Sequence, residues 1–209
     1  MFKVVRMSKR ADKLPAEFRV DWLERHKELR RTASKLVASV AADGKPLGDE
    51  PSYDGMAALY FSTFPEAKQA REKGDAKGSI SVVMDEKELF TRIDATLKTT
   101  AQLKAVLTTV RKPELTPAQF KDASLKAYAK VESKMLMESG IQKIVVSFAV
   151  PDQGGEPAFD SMLEIYFKDT DALKADFASP VISTLRKDEE TLVQLDAAEI
   201  RIVAEEHIL

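Results

Sequence analysis

Tyr53-Asp-Gly-Met-Ala-Ala-Leu-Tyr-Phe61 and Phe159-Asp-Ser-Met-Leu-Glu-Ile-Tyr-Phe167 share one pattern at an offset of 106 residues. Side-chain alternation predicts a strand in each segment, with one wholly apolar face and one face that carries a tyrosine. Two further pairs of similar segments occur in the same order: Pro15-Ala-Glu-Phe18 with Pro117-Ala-Gln-Phe120, and Asp85-Glu-Lys-Glu-Leu89 with Asp188-Glu-Glu-Thr-Leu192. These echoes predict two copies of one structural unit.

Each predicted unit has the order strand–helix–strand–strand–helix–strand, which is the ferredoxin-like plan. We place the first unit at residues 1–99 and the second at residues 100–209. Such a unit has helices on one face of an antiparallel sheet, so its other apolar face needs a partner. We therefore predict an α+β fold in which the sheets of the two tandem units pack together as a barrel.

The first unit is predicted to open with a strand from Phe2 to Ser8, followed by a helix from Pro15 to about Leu36. A first-turn proline favours a helix start, because its missing N–H would have no helical partner there. Further along the chain, we predict a short helix from Ser79 to Glu88 and a closing strand from Leu89 to Leu97.

Composition excludes several classes of function. The 209 residues include 32 Lys or Arg and 34 Asp or Glu, so no basic excess points to a nucleic-acid partner. The absence of cysteine excludes disulfides, cysteine–zinc sites, iron–sulfur clusters and a cysteine nucleophile. Neither a membrane span nor the apolar run of a signal peptide is found, so we expect a cytoplasmic protein.

Several motifs resemble the EthD family of dimeric α+β barrels. They are the opening strand, Leu14-Pro-Ala-Glu-Phe18, Trp22-x-x-x-His26, Tyr53-Asp-Gly55, and the ending Ala204-Glu-Glu-His-Ile-Leu209. The first unit carries most of the resemblance, and the second is a diverged copy. Single EthD units pair into homodimers, so the resemblance implies a fused version that could pair again.

The resemblance implies chemistry on small molecules without a bound cofactor. Dehydration, decarboxylation, isomerisation or cyclisation of aromatic or carbonyl-bearing compounds is typical of such barrels. We favour a lyase or isomerase that binds no metal. The alternatives are a non-catalytic ligand-binding or accessory protein and a cofactor-free oxygenase, because fold alone does not determine function.

We predict the site between the sheet of the first unit and its long helix. His26 is the candidate acid or base, since an imidazole titrates near neutral pH; the alternative is a core histidine bonded to a backbone carbonyl. Tyr60 could orient a substrate carbonyl or cap the edge of the core. Trp22 would form a pocket wall or simply pack, and Phe18 and Met56 are the neighbouring candidates for substrate contact.

Three further residues are candidates for the site. Arg6, an interior charge of the first strand, could bind a substrate carboxylate or form a salt bridge. Alternation places Glu206 on an apolar strand face, where loss of solvation would raise its pKa and make it a candidate acid or base. The alternative is a bulge or frayed end that leaves Glu206 and His207 in solvent. We expect His207 to approach the pocket of the first unit, because terminal strands of such barrels can cross to the other unit.

Overall fold

A computed structural model describes residues 1–73, 79–92, 102–151, 155–197 and 199–209. The strands are β1 (Phe2–Ser8), β2 (Lys35–Ala41), β3 (Gly55–Phe61), β4 (Ile80–Thr91), β5 (Gln102–Thr109), β6 (Lys143–Ala149), β7 (Ser161–Phe167) and β8 (Arg201–Ile208). The helices are α1 (Pro15–Leu29), α2 (Phe64–Glu72), α3 (Pro117–Glu138), α4 (Thr170–Phe177) and α5 (Pro180–Glu190).

The strands form one closed antiparallel barrel in the order β1-β3-β2-β8-β5-β7-β6-β4. Each half of the chain contributes four strands, and the last strand of each half also pairs with the other half. In this way β8 joins β2, and β4 joins β6. The predicted fold class, two ferredoxin-like sheets closed into an α+β barrel, is confirmed.

The inner face of the barrel is an apolar core shared by both halves. Val5, Met56 and Val82 from the first half pack in one cluster with Met162 and Ile202 from the second. The two sheets therefore cover each other's inner faces, which removes this apolar surface from water.

The helices cover the outer face. In the first half, α1 and α2 pack on β1, β2 and β3, with Phe18 and Trp22 against Ala57 and Leu59. Gly55 permits this close approach, because a Cβ there would lie 2.7 Å from the indole ring of Trp22. In the second half, α3, α4 and α5 cover β5, β6 and β7.

Two ion pairs join the long helices α1 and α3 to β8 and β4, the strands that pair with the other half. Arg19 of α1 lies 2.6 Å from Glu205 of β8, and Lys121 of α3 lies 2.7 Å from Asp85 of β4. Each pair links a helix of one half to a strand of the other. The halves are therefore connected on the barrel surface as well as through the core.

Three details of the sequence analysis are wrong. The segment Ser79–Glu88 is not a helix but lies almost wholly in β4. Its residues Val82, Val83 and Met84 are all buried, because one strand face meets the barrel core and the other meets helices. Buried strands of this kind lose the alternation that normally identifies them.

The second error concerns the end of the first long helix, and the third concerns one of the three pairs of similar segments. The long helix ends at Leu29, and a 3₁₀ turn (Arg30–Thr32) leads into β2, so Leu36 is a strand residue. The echo of Asp85-Glu-Lys-Glu-Leu89 in Asp188-Glu-Glu-Thr-Leu192 has no structural counterpart, since the first lies in β4 and the second spans the end of α5. The other two echoes occupy matching elements.

The predicted unit boundary at residues 99 and 100, and the part of the predicted closing strand beyond Arg92, lie outside the described residues. No helix in the described part of the chain is long and apolar enough to span a membrane.

Candidate functional site

A chain of charged and phenolic side chains runs through the barrel interior. Lys3 Nζ donates to Glu86 at 2.7 Å and to Glu164 at 2.5 Å. Lys104 Nζ donates to the other oxygen of Glu164 and to Glu206, both at 2.7 Å. The two ends are closed by phenols, because Tyr60 donates to Glu86 and Tyr166 donates to Glu206.

The two halves of the protein contribute unequally to the centre of this series of hydrogen-bonded side chains. Tyr60 pairs across the sheet with Lys3, and Tyr166 pairs in the same way with Lys104. Glu164, at the centre, corresponds to Ala58 of the first half under the 106-residue offset. A single carboxylate of the second half therefore bridges the lysines of both halves.

The buried lysines stabilise the ionised forms of the glutamates beside them. Burial disfavours the charge of Glu164, but the adjacent Lys104 and Lys3 outweigh it and hold the pKa of that carboxyl well below its usual range. The same balance applies to Glu206, whose pKa is lowered because Lys104 outweighs the cost of burial. The expectation that the pKa of Glu206 is raised on an apolar face is wrong, since the sequence does not reveal the buried lysine beside it.

His26 is buried on the helix side of the sheet. Its Nδ1 lies 2.7 Å from the carbonyl oxygen of Trp22, and its ring packs on the Trp22 indole at a centroid distance of 4.1 Å. Burial lowers the pKa of His26 to about 4 against the raising effect of the Trp22 carbonyl, so the imidazole is neutral at pH 7. Its contacts are those of a packed histidine.

This environment predicts the titration of His26. In an NMR pH titration, its ring resonances should stay in the neutral form down to about pH 5 and shift with a midpoint near 4. The physical reason is that protonation would place a charge in the apolar layer between α1 and the sheet. A midpoint near 6.5, the ordinary value for histidine, would contradict this account of the helix–sheet layer.

The predicted site residues are divided between two faces of the sheet. Phe18, Trp22 and His26 lie outside the barrel under α1, whereas Tyr60 and Met56 face its interior. One pocket between the sheet and the long helix therefore does not contain all five.

The remaining candidates lie elsewhere. Arg6 Nη2 donates to the carbonyl oxygen of Ala70 in α2 at 2.6 Å. His207 pairs with Ala38 of β2, so β8 does cross to the first half as expected. Burial and the nearby Arg19 lower the pKa of His207.

A cavity of about 480 Å³ lies in the first half, between the outer sheet face, the 3₁₀ turn and α2. Leu59, Phe61 and Arg6 line it, but His26 and Trp22 do not. Its carboxylate, Glu66, is engaged in capping α2 through Thr63. Arg6 and Glu66 are thus both hydrogen-bonded within the fold itself.

A second cavity, of about 240 Å³, lies in the other half under α3, α4 and α5. Its floor is the outer face of β5 and β7, and its far wall is the segment 193–197. The helices close it from above. Its apolar lining includes Leu107, Leu163, Ile165, Phe177, Ile182 and Leu185.

An acid–phenol pair faces this cavity. Tyr128 of α3 is buried, and its hydroxyl donates to Glu189 Oε1 of α5 at 2.8 Å. Burial and the neighbouring Glu199 raise the pKa of Glu189, although the Tyr128 hydrogen bond acts in the opposite direction. Burial and the adjacent Glu189 also raise the pKa of Tyr128 well above its ordinary value.

This pair can hold and exchange a proton. A raised pKa makes a carboxylate a stronger base, which favours proton abstraction. Arg186, which also lines the cavity, stacks on the ring of Phe177 and counters part of the shift at Glu189. In the described part of the chain, no group of three or more His, Asp or Glu side chains is arranged to hold a metal ion.

A protein-family model matches part of this half of the chain. Residues 112–196 match the EthD domain. The resemblance drawn from the sequence is thereby confirmed, but the match falls on the half that we had treated as the diverged copy. The EthD segment contains α3, α4 and α5, and therefore both Tyr128 and Glu189.

Solved structures agree on the fold. An anthrone oxidase-like protein is 12% identical, with a TM-score of 0.70 over 99% of this chain and 92% of that one. A candidate monooxygenase from Lactobacillus acidophilus is 9% identical, with a TM-score of 0.53 over 100% and 97% of the two chains. A regulator of staphylococcal pathogenesis is 8% identical, with a TM-score of 0.55 over 100% and 99%. Among curated proteins, none matches the sequence.

The sequence analysis missed Glu189 entirely. Tyr128 was not predicted as a site residue either, and α5 was not predicted. The apolar positions Val181, Ile182 and Leu185, which are all buried, follow the three- and four-residue spacing of a helix after Pro180. That pattern could have identified α5, and with it the carboxylate near its end.

Proposed function

We propose that this protein is a cofactor-independent enzyme that moves a proton on an uncharged, mainly apolar carbonyl compound. This is lyase or isomerase chemistry, and we assign it to the second-half cavity with Glu189 as the base. The observation that carries the proposal is the partly buried Tyr128–Glu189 pair at the wall of a cavity whose lining combines apolar and polar side chains. The proposal includes two units, 1–99 and 100–209, of which the second carries the site.

The size of the cavity supports a small substrate. Its volume of about 240 Å³ is slightly below the range of about 300–1,000 Å³ that is common for small-molecule sites. Its apolar side chains favour a ring system. The lining has three acidic side chains, Glu189, Glu190 and Glu199, against two basic ones, Arg186 and Arg201, and this balance disfavours a net negative ligand. Anthrone, named in the description of a similar structure, is a ketone of this general class.

The proposal is tested with 2-tetralone, a bicyclic ketone whose α-protons can be removed. The protein should bind 2-tetralone and accelerate exchange of its α-protons for deuterium in D₂O, as followed by proton NMR. Binding without exchange would overturn the enzyme proposal in favour of a ligand-binding protein. Oxygen uptake with anthrone but no tetralone exchange would favour the oxygenase instead, and the absence of binding would overturn the site.

The pH dependence of exchange reports the role of Tyr128. Exchange should rise with pH as Glu189 loses its proton and becomes a base. The Tyr128 hydroxyl stabilises the ionised carboxylate, so Tyr128→Phe should raise the pKa of Glu189 and move the rise to higher pH. The measurement is the exchange rate from pH 4 to 9, with Tyr53→Phe as the control outside the cavity. A profile that keeps its midpoint in Tyr128→Phe would contradict this role.

A further inference from the structure

The floor of the second-half cavity carries two hydroxyl groups in direct contact. Thr109 of β5 and Ser161 of β7 are cross-strand partners, and Thr109 Oγ1 lies 2.6 Å from Ser161 Oγ. Both residues line the cavity, and Ser161 is only 4% exposed. They lie on the same sheet face as Leu107 and Leu163, beneath the helices that supply Tyr128 and Glu189.

Counting protons shows that this pair has a donor left over. Two hydroxyls carry two protons, and their mutual hydrogen bond uses one of them. In the part of the chain that the structure describes, neither hydroxyl makes another hydrogen bond with its side-chain oxygen. Thr109 is partly exposed, but on the buried Ser161 hydroxyl the remaining proton would lack an acceptor, so it favours an oxygen acceptor in the cavity.

The Tyr128–Glu189 pair faces the same cavity with complementary chemistry. Tyr128 occupies Oε1 of Glu189, and no hydrogen bond involves Oε2 within the described residues. The cavity thus has a proton acceptor near its helical wall and a hydroxyl donor on its floor. Glu189 and the two hydroxyl residues all line this one cavity.

We infer that the Thr109–Ser161 hydroxyl pair binds the carbonyl oxygen of the substrate, which is therefore a neutral ketone with a removable α-proton. This inference rests on the proposed function and adds the substrate class and two specificity residues. In the reaction, the Glu189 carboxylate takes the α-proton, and the C–H electron pair forms the C=C bond of an enolate. The carbonyl π electrons move onto oxygen, where the hydroxyl pair stabilises the negative charge. Return of the proton to carbon from Glu189 restores the ketone.

The test compares 2-tetralone with tetralin, which has the same rings and no carbonyl. In the wild-type protein, 2-tetralone should bind about tenfold more tightly. The double variant Thr109→Val with Ser161→Ala should bind both compounds equally, with tetralin affinity unchanged. Its exchange rate should fall about 100-fold, which is the usual effect of losing an oxyanion donor. Ser147→Ala is the control, because it removes a buried hydroxyl that lies on another strand and outside the cavity.

A double variant that keeps both the preference for 2-tetralone and the exchange rate would overturn the inference. Failure of the proposed function has a different signature, since the wild-type protein would then bind neither compound or show no exchange. Tetralin binding confirms that the variant is folded. If the variant does not fold, the hydrogen bond to the ligand is tested instead on the wild-type protein, from the carbonyl ¹³C resonance of bound, labelled 2-tetralone. A downfield shift supports the hydrogen bond, and the position found in apolar solvent contradicts it.

Discussion

Replacing Glu164 with alanine is expected to lower the free energy of unfolding by about 3–5 kcal/mol, the usual cost of breaking a buried ion pair by removing one partner. Glu164 contacts both Lys3 and Lys104, which are almost completely buried. Without the carboxylate, two ammonium groups would remain in the barrel with one partner each. Urea denaturation measures the loss.

The control for Glu164 is an ion pair on the surface of the same barrel. Asp85 and Lys121 also join the two halves, but both side chains are 39% exposed. Asp85→Ala should therefore cost no more than about 1 kcal/mol. Equal losses for the two variants would contradict the view that the interior chain, rather than the surface pairs, stabilises the barrel.

The buried ion pairs of Glu164 also predict a pH effect on the stability of the wild-type protein. The pKa of Glu164 is depressed in the folded state because Lys104 and Lys3 outweigh the cost of burial. Its stabilising contribution is therefore present above the pKa of an unfolded glutamate and is lost as the pH falls towards the folded value. Glu164→Ala should accordingly show a weaker dependence of stability on acid than the wild-type protein.

Replacing Glu189 with glutamine should reduce the α-proton exchange of 2-tetralone at least 100-fold, within the range typical of general base catalysis. An amide has nearly the same shape as a carboxylate and cannot accept the proton at neutral pH. Binding of 2-tetralone should change much less than the exchange rate, because the apolar walls of the cavity are intact. The separation of these two effects distinguishes a base from a packing residue.

Asp188→Asn is the matched control for Glu189→Gln. Asp188 precedes Glu189 on α5 and contacts Lys130 on the surface. This control should exchange at the wild-type rate, since only a local ion pair is lost. An equal loss in both variants would show that α5 is simply sensitive to substitution, and Glu189 would lose its assignment as the base.

The parts of the fold that the sequence predicts are those encoded locally. The tyrosine-bearing strands β3 and β7 show regular alternation, and the helix starts at Pro15 and Pro117 have a proline in the first turn. These signals do not depend on distant residues. The need of each sheet for a second sheet then leads to the barrel, which is why the architecture could be predicted.

The site could not be predicted in the same way, because its chemistry depends on distant contacts. Lys3 and Glu164 are 161 positions apart, and a lysine in a strand gives no local sign that it is buried. The helical spacing placed His26 on the correct face of α1, but it did not reveal that Nδ1 contacts the Trp22 carbonyl. Glu189 approaches Tyr128 only because α5 packs on α3, and that packing is a tertiary contact.

The most direct test of the site is methyl NMR of the protein titrated with 2-tetralone. Leu163 and Ile165 line the second-half cavity, whereas Leu29 and Leu59 line the larger first-half cavity. We predict that the methyl resonances of Leu163 and Ile165 shift on binding and show intermolecular contacts with the ligand. Shifts confined to Leu29 and Leu59 would place the ligand in the first half and contradict the assignment of Glu189.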